Sequence, residues 1–87
     1  MRLAKYVRFR EEKFGGVLFE TRSEKVFTLN ATGAAVVREI AAGAAEGEIA
    51  GRLRARYDDP RGVIDNEVAQ LLADLRARGL VEDAPRG

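Results

Sequence analysis

Few groups in this chain could do chemistry, and their types narrow the choice at once. It carries 14 acidic and 15 basic side chains but no histidine and no cysteine. Histidine acid–base catalysis, thiol chemistry, disulfide frameworks and Cys/His zinc sites are excluded together. Among the carboxylates, Asp58-Asp59 with nearby Asp65 come nearest to a metal site. Their spacing lacks the alternating acidic ligands and the glycine of a calcium loop, so turn and cap roles account for them better. Glu11-Glu12 reads as part of a charged turn with no nucleophile or base beside it. Gly15-Gly16 lacks the strand-to-helix setting of a phosphate loop and reads as a backbone bulge or a close approach within a strand. Arg52, Arg54, Arg56, Arg76 and Arg78 could form a nucleic-acid patch. Only some of them share a face, acidic residues intervene, and the net charge is +1, so a basic footprint is weak. No catalytic residue, metal ligand or cofactor is expected.

The chain has 87 residues, 46% hydrophobic and 33% charged, which suits one soluble domain with a small core. That domain is expected over about 6–81, with a polar tail over 82–87. No apolar run approaches the roughly 20 residues of a membrane span, and the N-terminus lacks the apolar core of a signal peptide. A cytoplasmic protein with no membrane and no nucleic-acid partner is the expectation.

The elements follow from periodicity. Tyr6–Arg10 alternates, with Val7 and Phe9 on one face and Arg8 and Arg10 on the other, as a half-buried strand does. Glu11–Lys13 is a charged turn, Val17–Thr21 a second strand, Arg22–Glu24 a hairpin loop and Lys25–Leu29 a third strand. Phe27 and Leu29 share one face of it, Val26 and Thr28 the other. All four phenylalanines lie in this N-terminal third, which is expected to hold most of the aromatic burial. At Asn30 the period changes: Gly33, Val36, Val37 and Ile40 fall on one helical face, with Asn30 or Thr32 as N-cap and Gly43 as the stop. A second helix is predicted over Glu46–Tyr57 through Ile49, Leu53 and Tyr57, its glutamates first and its arginines last, as the helix dipole favours. A third is predicted after Pro60, starting from an Asp59 cap or near Asp65. Its stripe is Ile64, Val68, Leu71, Leu72 and Leu75, and it is closed by Gly79 with Leu80 folding back.

This order gives an α+β fold, a winged-helix-like βββααα arrangement in which a three-stranded antiparallel sheet is followed by three helices. Such a sheet leaves an unpaired edge that must be blunted or used. Lys25–Leu29, short and with an exposed Thr, suits an edge that accepts another strand. The same edge permits a homodimer as well as a monomer.

The stretches Val26-Phe-Thr-Leu-Asn30-Ala-Thr-Gly, Glu48-Ile-Ala-Gly-Arg-Leu-Arg-Ala-Arg-Tyr-Asp58 and Asn66-Glu-Val-Ala-Gln-Leu-Leu-Ala-Asp-Leu-Arg-Ala-Arg-Gly-Leu-Val81 together resemble the PqqD family. These are peptide chaperones of pyrroloquinoline quinone biosynthesis and the related RiPP recognition elements of other natural product pathways. The opening Val7–Gly16 also resembles the peptide chaperone of mycofactocin biosynthesis. The loop Ala42–Gly47 departs from the family, which often has Asp-Gly and then a Thr-containing cap there. The resemblance implies a non-catalytic module that binds the leader of a ribosomally made precursor peptide. It would hand that peptide to a modifying enzyme, commonly a radical SAM (S-adenosylmethionine) enzyme. The leader would add to the third strand and lie against the third helix, so the implied peptide-binding residues are Lys25, Val26, Phe27, Thr28, Leu29, Glu67, Leu71, Asp74 and Arg78. Glu67, Leu71, Asp74 and Arg78 do form a stripe beside the helix's core face. Leu71 as core beneath a solvated charged face is the plainer alternative. A winged-helix DNA-binding or regulatory domain is the competing reading of function, and a structural subunit of a partner enzyme a third.

Overall fold

The structure, a computed structural model, describes Met1–Asp83. Its elements in order are β1 (Arg2–Leu3), β2 (Val7–Glu12), β3 (Gly15–Glu20), β4 (Lys25–Asn30), α1 (Ala31–Ala41), α2 (Glu46–Arg56), α3 (Ile64–Ala77) and β5 (Val81–Glu82). The expected antiparallel β2-β3-β4 meander and the three helices after it are all present. The polar tail begins later than expected, because Glu82 belongs to β5. Residues 84–87 of that tail lie outside the described residues.

β2 pairs with β3 from Val7↔Glu20 to Glu12↔Gly15 without interruption. Glu11-Glu12 is therefore strand, not turn, and the turn is Lys13-Phe14. The register also runs unbroken across Gly15↔Asn30 and Gly16↔Leu29, so the glycine pair marks no bulge. It marks the close approach instead: Gly15 has φ +149°, and a Cβ there would run into the backbone of Leu29 and Asn30.

One face of this sheet packs under α1, whose buried Ala34, Ala35, Val36, Val37 and Ile40 let the helix lie close. Leu18, Leu29, Ile49, Leu53 and Leu75 complete a core made of aliphatic side chains, each contributing roughly 2 kcal/mol by leaving water. The phenylalanines do not dominate it. Phe9 and Phe27 are half-buried, while Phe14 and Phe19 are exposed. Phe9 and Phe27 pair with the buried Leu18 and share its face, whereas Phe19 lies on the opposite face of β3 and Phe14 in the β2–β3 turn. Tyr57 lies just beyond α2 and is exposed as well.

Local chemistry sets the helix ends. The Asn30 side chain accepts from the Gly33 N–H at 2.8 Å, the N-cap of α1. Asp59 does not start α3 directly. Its carboxylate reaches forward to accept from the N–H groups of Val63 at 2.9 Å and Ile64 at 3.2 Å, capping a helix that begins at Ile64. At the far end Gly79 (φ +72°) donates to the Arg76 carbonyl, and Leu80 donates to that of Leu75. This Schellman closure buries Leu80 against the core. The chain then runs into β5, which pairs with β1 through Arg2↔Glu82 and Leu3↔Val81.

Candidate functional site

β4 is an edge of the three-stranded sheet, and the hydrogen-bond phase decides which of its groups are free. Thr21 donates to the Tyr6 carbonyl at 2.9 Å, so the odd residues of β3 point their backbone at β2 and Glu20, Leu18 and Gly16 point theirs at β4. Their partners Lys25, Phe27 and Leu29 answer inward. Val26 and Thr28 therefore turn N–H and C=O outward. Among the described residues no backbone group of another element bonds them.

Beyond this edge runs a groove. β4 forms one wall, α3 the other, and the first turn of α1 the floor. Its upper part, about 270 Å³, is lined by Phe27, Thr28, Leu29, Glu67, Leu71 and Asp74, with Asn30, Thr32, Gly33, Val36 and Gln70. The lower part, about 440 Å³, is lined by Lys25, Val26, Phe27 and Arg78, with the β3–β4 turn and Ala77–Leu80. All nine residues singled out from the sequence thus line one or other of two adjoining pockets, with Phe27 common to both. Leu71 is neither core nor surface: half-buried, it packs against the core's flank and shows its outer side to the groove. The floor residues Thr32, Gly33 and Val36 escaped the sequence reading. Gly33 and Val36 lie on the stripe that announced burial and Thr32 is a candidate N-cap, and nothing local revealed that a cleft would open over them.

Two features hold the cleft's lower end. The Arg78 guanidinium lies 4.9 Å from the Phe27 ring centroid, a cation–π contact across the gap. The turn is fastened by Glu20, whose carboxylate accepts from the N–H of Ser23 at 2.7 Å, the N–H of Arg22 at 3.1 Å and the Ser23 hydroxyl. The Ser23 hydroxyl bond, foremost, holds the Glu20 carboxyl down to about 2.

The other candidate chemistries are absorbed by structure. Arg54 pairs with Asp65, and Asp59 caps α3. Arg52 and Arg56 lie 3.3 and 3.8 Å from the buried carboxylate of Glu39. Arg76 clasps Glu46 at 2.5 Å and Asp83 at 3.1 Å. Of the five arginines that suggested a nucleic-acid patch, four are thus neutralised within the chain and Arg78 lies over Phe27.

A three-stranded sheet with a free edge beside a helix-walled groove is the winged-helix-like architecture of RiPP recognition elements. The model of the family described as coenzyme PQQ synthesis protein D (PqqD) matches residues 15–81, and the chain belongs to that family. It is similar to a solved lasso peptide synthetase B1 complexed with the leader peptide, at 26% identity over 94% of this chain and 96% of that one, TM-score 0.78. It is also similar in fold to TbiB1 in complex with the TbiA(beta) leader peptide, at 21% identity over 99% of this chain and 100% of that one, TM-score 0.82. No curated protein sequence matches the chain. Among the described residues no helix is long and apolar enough to cross a membrane.

Proposed function

We propose that the whole chain acts as one non-catalytic domain that binds the leader of a ribosomally synthesised precursor peptide and presents its core to a modifying enzyme in the cytoplasm. The leader adds as a strand to β4 and lays alternate side chains in the groove against α3. The outward N–H and C=O groups of Val26 and Thr28, set beside that groove, carry this reading. An extended peptide satisfies them by strand addition and fills the cleft with every second side chain. Membership of the family and likeness to a structure solved with a leader peptide support the same occupant.

The family resemblance favours a radical SAM enzyme as partner. The 26% identical relative favours instead the enzymes of lasso peptide synthesis. Co-purification with each class of enzyme, with and without precursor, separates them.

Titrating isotope-labelled protein with the precursor peptide encoded beside it tests the core proposal. Amides of Lys25–Leu29 and Glu67–Arg78 should shift at micromolar peptide. Unmoved spectra up to millimolar concentration would overturn it.

A further inference from the structure

The groove sorts charge along its length. β4 and α3 run in opposite directions past each other, so Lys25 and Arg78 share the lower end while Glu67 and Asp74 line the upper part with Leu29. Elsewhere most carboxylates are engaged: Glu11, Glu12, Glu20, Glu39, Glu46, Glu48, Asp65, Glu82 and Asp83 each meet an arginine. Among the described residues Glu67, Asp74, Lys25 and Arg78 meet no opposite charge within salt-bridge distance. Along α3 the groove-lining order is Glu67, Leu71, Asp74 and then Arg78. The cleft is therefore acidic at its Glu67 end and basic at Lys25 and Arg78, with Phe27 and Leu71 between those ends and Asp74 one turn from Arg78. Among the described residues none of these end charges forms an ion pair, and Arg78 lies over the Phe27 ring.

The strand phase converts this into a spacing. A peptide residue paired with a β4 residue points its side chain to the same face of the sheet. Groove-facing positions are those opposite Leu29, Phe27 and Lys25, two residues apart. From Glu67 to Arg78 α3 rises about 16 Å, and an extended chain at about 3.3 Å per residue covers that in about five residues. Antiparallel addition continues the pattern of the whole sheet and is the slightly more stable pairing. It places the peptide's N-terminal end at Leu29.

Resting on the leader-binding reading above, we infer that the site selects a leader segment with a fixed charge order. A Lys or Arg lies opposite Leu29, facing Glu67. An apolar side chain follows two positions later, between Phe27 and Leu71. An Asp or Glu comes two positions later again, facing Lys25 and Arg78. The end charges act as a polarity filter: a peptide with the same residues in reverse order meets like charge at both ends.

Selecting a phage-displayed random linear peptide library on the full chain at low salt tests this. Enriched sequences should carry cation, apolar residue and anion at alternate positions in that order. A synthetic peptide of that pattern should bind about tenfold more tightly than its charge-exchanged counterpart, and added salt should narrow the ratio. The Glu67→Lys variant should then prefer an acidic N-terminal residue. Enrichment with no charge order, or equal affinity for both peptides, overturns the inference and leaves peptide binding standing. No enrichment of any peptide overturns both. The unsubstituted protein alone gives the decisive comparison, so a variant that fails to fold removes nothing from the test.

Discussion

Arg78 and Phe27 meet across the groove, the C-cap residue of α3 laying its guanidinium 4.9 Å from the ring centroid on β4. The half-buried ring therefore has two roles, packing on the core's flank and forming the cleft's middle. Phe27→Ala should cost about 2 kcal/mol, below the range for a fully buried ring, and should weaken peptide binding at least tenfold. Arg78→Ala should cost under about 1 kcal/mol yet still weaken binding. Denaturant titration paired with calorimetry of leader binding separates the two effects.

Alternation along β4 gives an amide-by-amide expectation. In the free protein the Val26 and Thr28 N–H groups should exchange with solvent quickly, while those of Phe27 and Leu29, bonded to β3, should be protected. Leader binding should slow Val26 and Thr28 and leave the other two little changed. Hydrogen exchange followed by NMR reads this directly, and protection gained at Phe27 instead would mean that the peptide does not pair with this edge.

Glu20 ties the β3–β4 turn to acid. Its folded value of about 2 lies below the ordinary 4.5, so the unfolded chain takes up the proton first. The stabilisation is complete above about pH 4.5 and is lost as pH falls toward 2. Glu20→Gln should flatten that part of the melting temperature's pH profile without altering the fold near neutrality. NMR titration of the Glu20 carboxyl gives the independent check.

Removing one counter-ion of Glu39 should be costly for a surface change. The carboxylate is buried, with Arg52 at 3.3 Å and Arg56 at 3.8 Å. Arg52→Ala leaves it with the more distant cation and should destabilise by about 1 kcal/mol. Pairing that change with Glu39→Gln should recover part of the loss, a coupling that a double-mutant cycle measures.

Asn30 caps the helix whose first turn floors the cleft. Asn30→Ala should cost about 1 kcal/mol and broaden the amide signals of Thr32 and Gly33. The affinity for a leader should fall more than the global stability does.

Much of this architecture was legible because its long elements carry strong periodic signals. The stripe Ile64, Val68, Leu72 and Leu75 is buried as read, and alternation on β4 placed Leu29 inside and Val26 outside. What escaped has physical reasons. Arg2-Leu3 and Val81-Glu82 form strands only because they meet, and two residues have no period to detect. The phenylalanine pattern overstated aromatic burial, since Phe14 falls in a turn and Phe19 on the sheet face opposite the buried Leu18. The family resemblance pointed to nine residues on β4 and α3, which line the pockets there, whereas Thr32, Gly33 and Val36 belong to a floor defined only by three elements coming together.

The pairing of Arg2 with Glu82 makes the fold a closed circuit. Both ends of the described chain leave from one spot, with Arg2 and Glu82 joined by a 2.8 Å ion pair. A short linker could join them, and the chain could be reopened between Asp58 and Asp59, ahead of the carboxylate that caps α3, without cutting any strand or helix. Such a circular permutant should keep both groove walls and their floor, and its new termini would give a second point for tethering a partner enzyme.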